Sequence, residues 1–186
     1  MSARHIYVAI TGASGSLYAR RFLQAAEERF KQIGLSISSN AWQVFREELG
    51  LDFSPDSFDV EVFLGRPTEK VRFYHLKDMS APYATGSKAW DAMVIVPCSM
   101  GTLGRIAHGI SDSLITRAAD VAIKERRKLI VVPRDTPLST IHLQNLLALS
   151  QAGAIVMPAA PGFYHRPQTV EDLVEFMVKR IMSHLI

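Results

Sequence analysis

Arg134 and Asp135 stand side by side just past a proline, at the end of an apolar run, Leu129 to Val132. An arginine delivered by a strand into a loop is a fixed cation, suited to a phosphate or to the electron-rich edge of a ring. A carboxylate next to it, if buried, could serve as a general acid or base; left at the surface, the two would be an ordinary ion pair. A second suggestive run is Thr11-Gly12-Ala13-Ser14-Gly15. Small residues, a hydroxyl and free backbone N–H groups at a helix start suit an anion, above all a phosphate. The run is neither a Walker loop, because no Lys-Ser/Thr follows, nor G-x-G-x-x-G, and tight turns use the same residues. Ser38, Ser99 and Thr102 offer further hydroxyls, as ligands or as helix caps. Arg117, Lys124, Arg134 and Arg180 together could hold a doubly charged phosphate, although Lys124 and Arg180 also suit solvated helix faces.

The elements that would position these residues follow from hydrophobic periodicity. Ile6 to Ile10 reads as a strand. Tyr18, Phe22, Ala26, Phe30 and Ile33 share a helical face, and Gly34 stands as that helix's stop. Leu35–Ser38 reads as a strand, and Trp42, Phe45 and Leu49 as a short helix ended by Gly50. Residues 51–70 show no clear element. Val71–Tyr74 reads as a strand, 78–90 as a long loop, and Met93–Val96 as a strand leading into Pro97-Cys98-Ser99-Met100-Gly101-Thr102. Helices are expected over 102–108 and 112–126, then the strand Leu129–Val132. The next helix, 139–152, has Leu143, Leu146, Leu147 and Ser150 on one side, with Gly153 as its stop. Ala154–Met157 is a strand, and a final helix carries a stripe from Val170 to Leu185 behind a Thr169/Asp172 cap.

Strands alternating with helices imply a doubly wound, mainly parallel α/β sheet covered on both faces. No linker splits residues 1–186, which read as one domain. Gly12–Gly15, Ser38, Ser99–Thr102, Arg134–Asp135 and the loop to Tyr164 each follow a strand. In such a sheet the carboxyl ends of the strands form the ligand crevice. Lys124, late in a helix that feeds the strand ending at Arg134, belongs at the other pole. If both touch one ligand, Lys124 comes from a neighbouring subunit.

Composition narrows the class. The chain has 186 residues and a net charge of +3, which fits anionic ligands without demanding nucleic acid. Its one cysteine, Cys98, permits no intrachain disulfide. No apolar run approaches the roughly 20 residues of a membrane span. The start, MSARHIYVAI, lacks the pattern of a secretory signal, and a cytoplasmic protein is expected. The six histidines show no metal-ligand spacing, so no metal site is expected.

The combination of TGASG, PCSMGTL and ITRAADVAIKERRKLIVVPRDTPLSTIHLQNLLALSQAGAIVMPAAPGFYHRPQTVEDLV resembles the UbiX/Pad family of flavin prenyltransferases, most densely from Met93 to Arg180. The resemblance implies a flavodoxin-like Rossmann sheet and a homododecamer of trimers with sites at subunit contacts. It implies FMN and dimethylallyl monophosphate as ligands, with the prenyl group joined to flavin N5 and C6 without a metal. It implies a UbiD-type decarboxylase as recipient of the prenylated flavin. By resemblance, Gly12, Ala13, Ser14, Ser38, Ser99, Met100, Gly101, Thr102 and Arg134 match FMN-binding positions. Lys124, Tyr164 and Arg180, with Arg117 and Arg134 nearby, match binders of the prenyl phosphate. Ser14, Lys124 and Asp135 match the catalytic groups, and Trp90 and Tyr164 are candidates to line the prenyl pocket.

Three departures stand out. The family usually has Glu where this chain has Asp135, one methylene shorter, and often Ser-Gly-Ser where it has Thr85-Gly86-Ser87. Many members continue into a tail with a tryptophan, whereas this sequence stops at Ile186. Two other readings compete. One is a flavin-dependent peptidyl-cysteine decarboxylase, which would carry a PASANT-like motif where PCSMGT stands. The other is an FMN-binding companion subunit of an aromatic-acid decarboxylase that does not itself transfer a prenyl group.

Overall fold

In the computed structural model, which describes residues 5–185, six strands form one parallel sheet in the order β3-β2-β1-β4-β5-β6. The strands are β1 (His5–Ile10), β2 (Gln32–Ile37), β3 (Val71–Phe73), β4 (Ala92–Cys98), β5 (Lys128–Pro133) and β6 (Ile155–Val156). The helices are α1 (Ser16–Arg29), α2 (Ala41–Leu49), α3 (Val60–Leu64), α4 (Met100–Ala107), α5 (Leu114–Lys124), α6 (Thr140–Gln151) and α7 (Val170–Leu185). This is the doubly wound α/β architecture expected from the alternation, and the flavodoxin-like sheet that the resemblance implies. Residues 1–4, at the start of the segment read for a secretory signal, and the chain end at Ile186 lie outside the described residues.

The central strands β1, β4 and β5 are apolar along most of their length because both faces are covered. Alternate residues feed two cores. Ile6, Val8 and Ile10, with Val94, Val96, Ile130 and Val132, pack under α1, α2 and α7. Tyr7, Ala9, Met93, Ile95, Leu129 and Val131 face α4, α5 and α6. The second layer is completed by the 74–90 segment, whose Tyr83 ring stacks on Tyr7 with centroids 4.3 Å apart.

Four local expectations change. First, α1 stops at Arg29 and Phe30 is already extended, so Ile33 and Gly34 lie in β2. Gly34 is not a helix stop; a Cβ there would meet the Tyr83 ring at 2.2 Å, and the strand needs a residue without one. Second, the featureless stretch 51–70 holds α3. Asp59 caps it by accepting from the N–H groups of Glu61 (2.8 Å) and Val62 (3.1 Å), and Gly65 ends it in the left-handed region. Third, α6 turns a different face inward. Asn145 and Leu149 are buried, whereas Leu143 and Leu147 remain more than half exposed. Apolar residues surround this helix, so periodicity could not choose between its faces. Fourth, Trp90 is 4 % exposed beneath the Arg127 guanidinium, just before β4 begins and so at the opposite pole from the strand ends. In the single chain it is core, not pocket lining.

Gly34→Ala should lower stability by about 1–3 kcal/mol through overpacking, read as a shifted urea midpoint at an unchanged slope. An unshifted midpoint would mean that the Tyr83 ring swings aside freely.

Candidate functional site

The strand order reverses between β1 and β4, which places a crevice beyond their carboxyl ends. Thr11 builds its floor. This buried hydroxyl accepts from the Ser99 N–H (2.6 Å) and donates to the Pro97 carbonyl (3.0 Å). The backbone N–H of Thr11 also reaches Pro97 O (3.2 Å). The ends of β1 and β4 are thereby tied together, which brings the Gly12 turn against the start of α4. Above this junction lies an open cleft of about 420 Å³.

Five of the residues singled out from the sequence line the cleft: Gly12, Ser38, Ser99, Gly101 and Thr102. Ser99 caps α4, its hydroxyl 3.1 Å from that of Thr102. The space beside Gly12 is filled by Asn40, which a Cβ would strike at 2.4 Å, so the turn tolerates little else there. The far wall, from α4 to the start of α5, comes from Arg105, Asp112, Ser113 and Thr116. None of these four stood out in the sequence. Met100 and Ala13 are buried beside the cleft rather than in its lining.

The start of α1 differs from what its glycine-serine turn suggested. The anion there is the protein's own. Glu48, on α2, accepts from the N–H of Gly15 (3.0 Å to each oxygen) and of Ser16 (2.7 Å). Partial burial pushes the Glu48 carboxyl up. The hydrogen bonds from the Ser14 side chain, from the Ser16 and Gly15 backbone and from the Ser16 hydroxyl outweigh that, and the pKa sits below its ordinary value of 4.5. A carboxylate on a helix N-terminus also gains from the macrodipole. Only the tertiary fold, 33 residues apart in sequence, reveals this pairing.

Arg134 sits next to that turn, its Nε donating to the Ser14 carbonyl (3.3 Å). Asp135 is exposed, and its carboxylate accepts from the N–H of Thr136 (2.8 Å). The burial that an acid–base role was expected to draw on is therefore absent within one chain. The remaining cations stand elsewhere. Arg117 holds the Ala84 carbonyl (3.0 Å) and Asp120 (2.7 Å). Lys124 pairs with Glu125 (2.6 Å) at the end of α5, near the start of β5. Arg180 is exposed late in α7, whose end meets the start of β5 through a hydrogen bond from Lys128 Nζ to the His184 carbonyl. Tyr164 is 83 % exposed. One chain therefore brings Gly12, Ser38, Ser99, Gly101 and Thr102 together at the cleft and sets Arg134 against the Ser14 carbonyl, whereas Lys124 and Arg180 lie elsewhere. Among the described residues no three His, Cys, Asp or Glu side chains converge as metal ligands, and no helix is long and apolar enough to cross a membrane.

Residues 1–182 match the family model described as Flavoprotein. The flavin prenyltransferase UbiX of Pseudomonas aeruginosa is 46 % identical over 184 residues, covering 97 % of this chain and 88 % of its own. This chain belongs to the UbiX-type flavin prenyltransferases. The flavin prenyltransferase LpdB of Lactiplantibacillus plantarum is 43 % identical, with 97 % and 91 % covered. Among solved structures, AnUbiX (PadA1) in complex with FMN and dimethylallyl pyrophosphate superposes with a TM-score of 0.86 at 38 % identity, over 98 % of this chain and 92 % of that one. A dodecameric FMN-dependent UbiX-like decarboxylase from Escherichia coli O157:H7 gives 0.85 at 38 %, over 97 % and 93 %. The peptidyl-cysteine decarboxylase EpiD, at 13 % identity and a TM-score of 0.62, shares the fold alone. The competing cysteine-decarboxylase reading gains nothing beyond that shared fold, and the curated prenyltransferases favour transfer over a companion role.

The Glu48 geometry has a measurable sign. A carboxyl whose folded pKa lies below its unfolded one stabilises the fold above the unfolded value, and that contribution is lost as pH falls through the folded value. Glu48→Gln should cost about 1 kcal/mol at neutral pH, as for loss of a good helix cap. Below pH 4.5 the gap to the parent should narrow in acid unfolding curves. A gap that stays constant with pH would mean that the charge on Glu48 contributes nothing.

Proposed function

We propose that this protein transfers the dimethylallyl group of dimethylallyl monophosphate to reduced FMN, and that a UbiD-type decarboxylase in the same cytoplasm takes up the product. The observation that carries the reading is the switch-point cleft, lined by five of the nine flavin-type positions, in a chain of this family. Hydroxyls at Ser38, Ser99 and Thr102 and the close backbone at Gly12 suit a flavin's phosphate and ribityl chain, and the 420 Å³ volume falls in the range of small-ligand sites. Bound there, reduced FMN supplies the nucleophilic N5 and C6 centres.

The protein's task is to make phosphate leave. As the allylic carbon–oxygen bond breaks, negative charge grows on the departing phosphate, and fixed cations must meet it. Lys124, Arg180 and Arg117, with the Tyr164 hydroxyl, are assigned that task, and Arg134 joins them from beside the flavin positions. Lys124 lies at the other pole of its own sheet, so the assignment requires a neighbouring subunit, in a homo-oligomer that we take to be dodecameric. Ser14 touches Glu48, which gives its hydroxyl an acceptor through which a proton can be held or passed. Asp135 serves the second proton position and depends on subunit contact for its burial.

Anaerobic incubation with reduced FMN and dimethylallyl monophosphate, followed by mass spectrometry of the released flavin, should show the gain of one prenyl unit. Bound FMN without that gain would sink the transferase reading. Running the diphosphate in parallel identifies the donor. Lys124→Ala and Arg134→Ala should each abolish turnover, and oligomers reassembled from a mixture of the two should recover part of it. No recovery would mean that each site is complete within one subunit.

A further inference from the structure

The start of α1 is occupied by Glu48, so the N–H groups of Gly15 and Ser16 have no capacity left for a ligand's phosphate. Arg134 is turned to the Ser14 carbonyl and does not line the cleft. The cleft must meet a dianion with what remains. Among its described lining residues, only Arg105 and Asp112 carry charge. Arg105 stands one helical turn beyond Thr102 on α4, on the wall that carries the Ser99 and Thr102 hydroxyls.

Its placement is prepared from two sides. Arg105 Nη1 donates to the Gly101 carbonyl (3.1 Å), and Nε donates to Asp112 Oδ2 (3.3 Å). Asp112 is itself fixed, because Thr116, buried at the start of α5, donates from Oγ1 to Asp112 Oδ1 (3.1 Å). The guanidinium therefore bridges α4 and α5 at the rim, with Nη2 engaged by none of these contacts. An isolated surface pair of this kind, with both side chains about half exposed, adds little to stability. Its position in a cleft otherwise lined by hydroxyls, amides and apolar groups gives it a different use.

We propose that Arg105 is the cation that receives the flavin's phosphate, with Asp112 as the positioning residue, and that it makes this cleft selective for the phosphorylated flavin. The inference rests on the flavin reading above. It assigns a role to a residue outside the positions that the family resemblance supplied, and it separates two charges: Arg105 serves the cofactor's phosphate, whereas Lys124 and Arg180 serve the prenyl phosphate. A guanidinium gives a phosphate charge-assisted, geometrically matched hydrogen bonds that a neutral vitamin cannot use.

The test is fluorescence titration of the flavin-stripped protein with FMN and with riboflavin, for the parent, Arg105→Met and Arg105→Lys. Arg105→Met should weaken FMN about tenfold or more, as expected for loss of a charge-assisted hydrogen bond. Riboflavin affinity should be unchanged, and Arg105→Lys should restore part of the FMN affinity. Equal weakening of FMN and riboflavin would overturn the proposal, placing Arg105 against the ring or the ribityl chain. Unchanged FMN affinity would also overturn it, leaving Arg105 a surface ion pair. A parent protein that binds neither flavin would instead overturn the flavin reading itself, and this inference with it.

Discussion

The site depends on one buried hydroxyl. Thr11 lies where strand order reverses, and its side chain extends the β1–β4 pairing into the loops that follow the two strands. Its hydroxyl takes the Ser99 N–H and gives its proton to Pro97 O, so neither strand end leaves a polar group unmet in the interior. Two loops carrying different chemistry are thereby held in one register: glycine and serine from the first strand, Ser99 to Thr102 from the fourth. The cleft is an outcome of that register.

Charge is distributed with the same economy. The cleft has one cation and one anion among its described lining, and the helix start beside it is neutralised internally by Glu48. The cations proposed to meet a departing phosphate lie at other points of the surface, where Glu125 engages Lys124 and Asp120 engages Arg117. Their distance from the cleft keeps like charges apart within the chain. The proposed assignment ties chemistry to assembly, since one chain does not bring Lys124 and Arg134 together.

Much of this was legible in sequence, and the failures share a cause. Apolar runs located the strands, β2 only from Leu35 onward, because a sheet buried on both faces leaves such runs between turns. The cleft residues Gly12, Ser38, Ser99, Gly101 and Thr102 were legible because they follow strands, and topology sends strand ends to one edge. The opposite placement of Lys124 and Arg134 came from the same reasoning. What could not be read depended on contacts between distant residues. Gly34 looked like a helix stop until Tyr83, from a segment read as loop, was seen against it. The inward face of α6 was undecidable because its apolar residues go all round. Glu48 carried no local signal, since an acid near the end of a short helix is common everywhere, and the run that begins at Thr11 gave no sign of the bonds its hydroxyl makes to Pro97 and Ser99. Arg105 and Asp112 were passed over for the same reason: only the folded chain makes them the two sides of one rim.

The pairing of β1 with β4 has a consequence for when the site can exist. Thr11 and Pro97 are 86 residues apart, and His5 reaches Asp91 over the same span. A chain emerging from the ribosome can pair β1 with β2 early, but it cannot close the floor of the cleft until β4 has followed. Closing so long a loop carries an entropic cost that grows only slowly with length, so the delay is one of synthesis more than of stability. The nascent first half therefore lacks the floor of the cleft, and a ligand can be held there only in the last part of the protein's making.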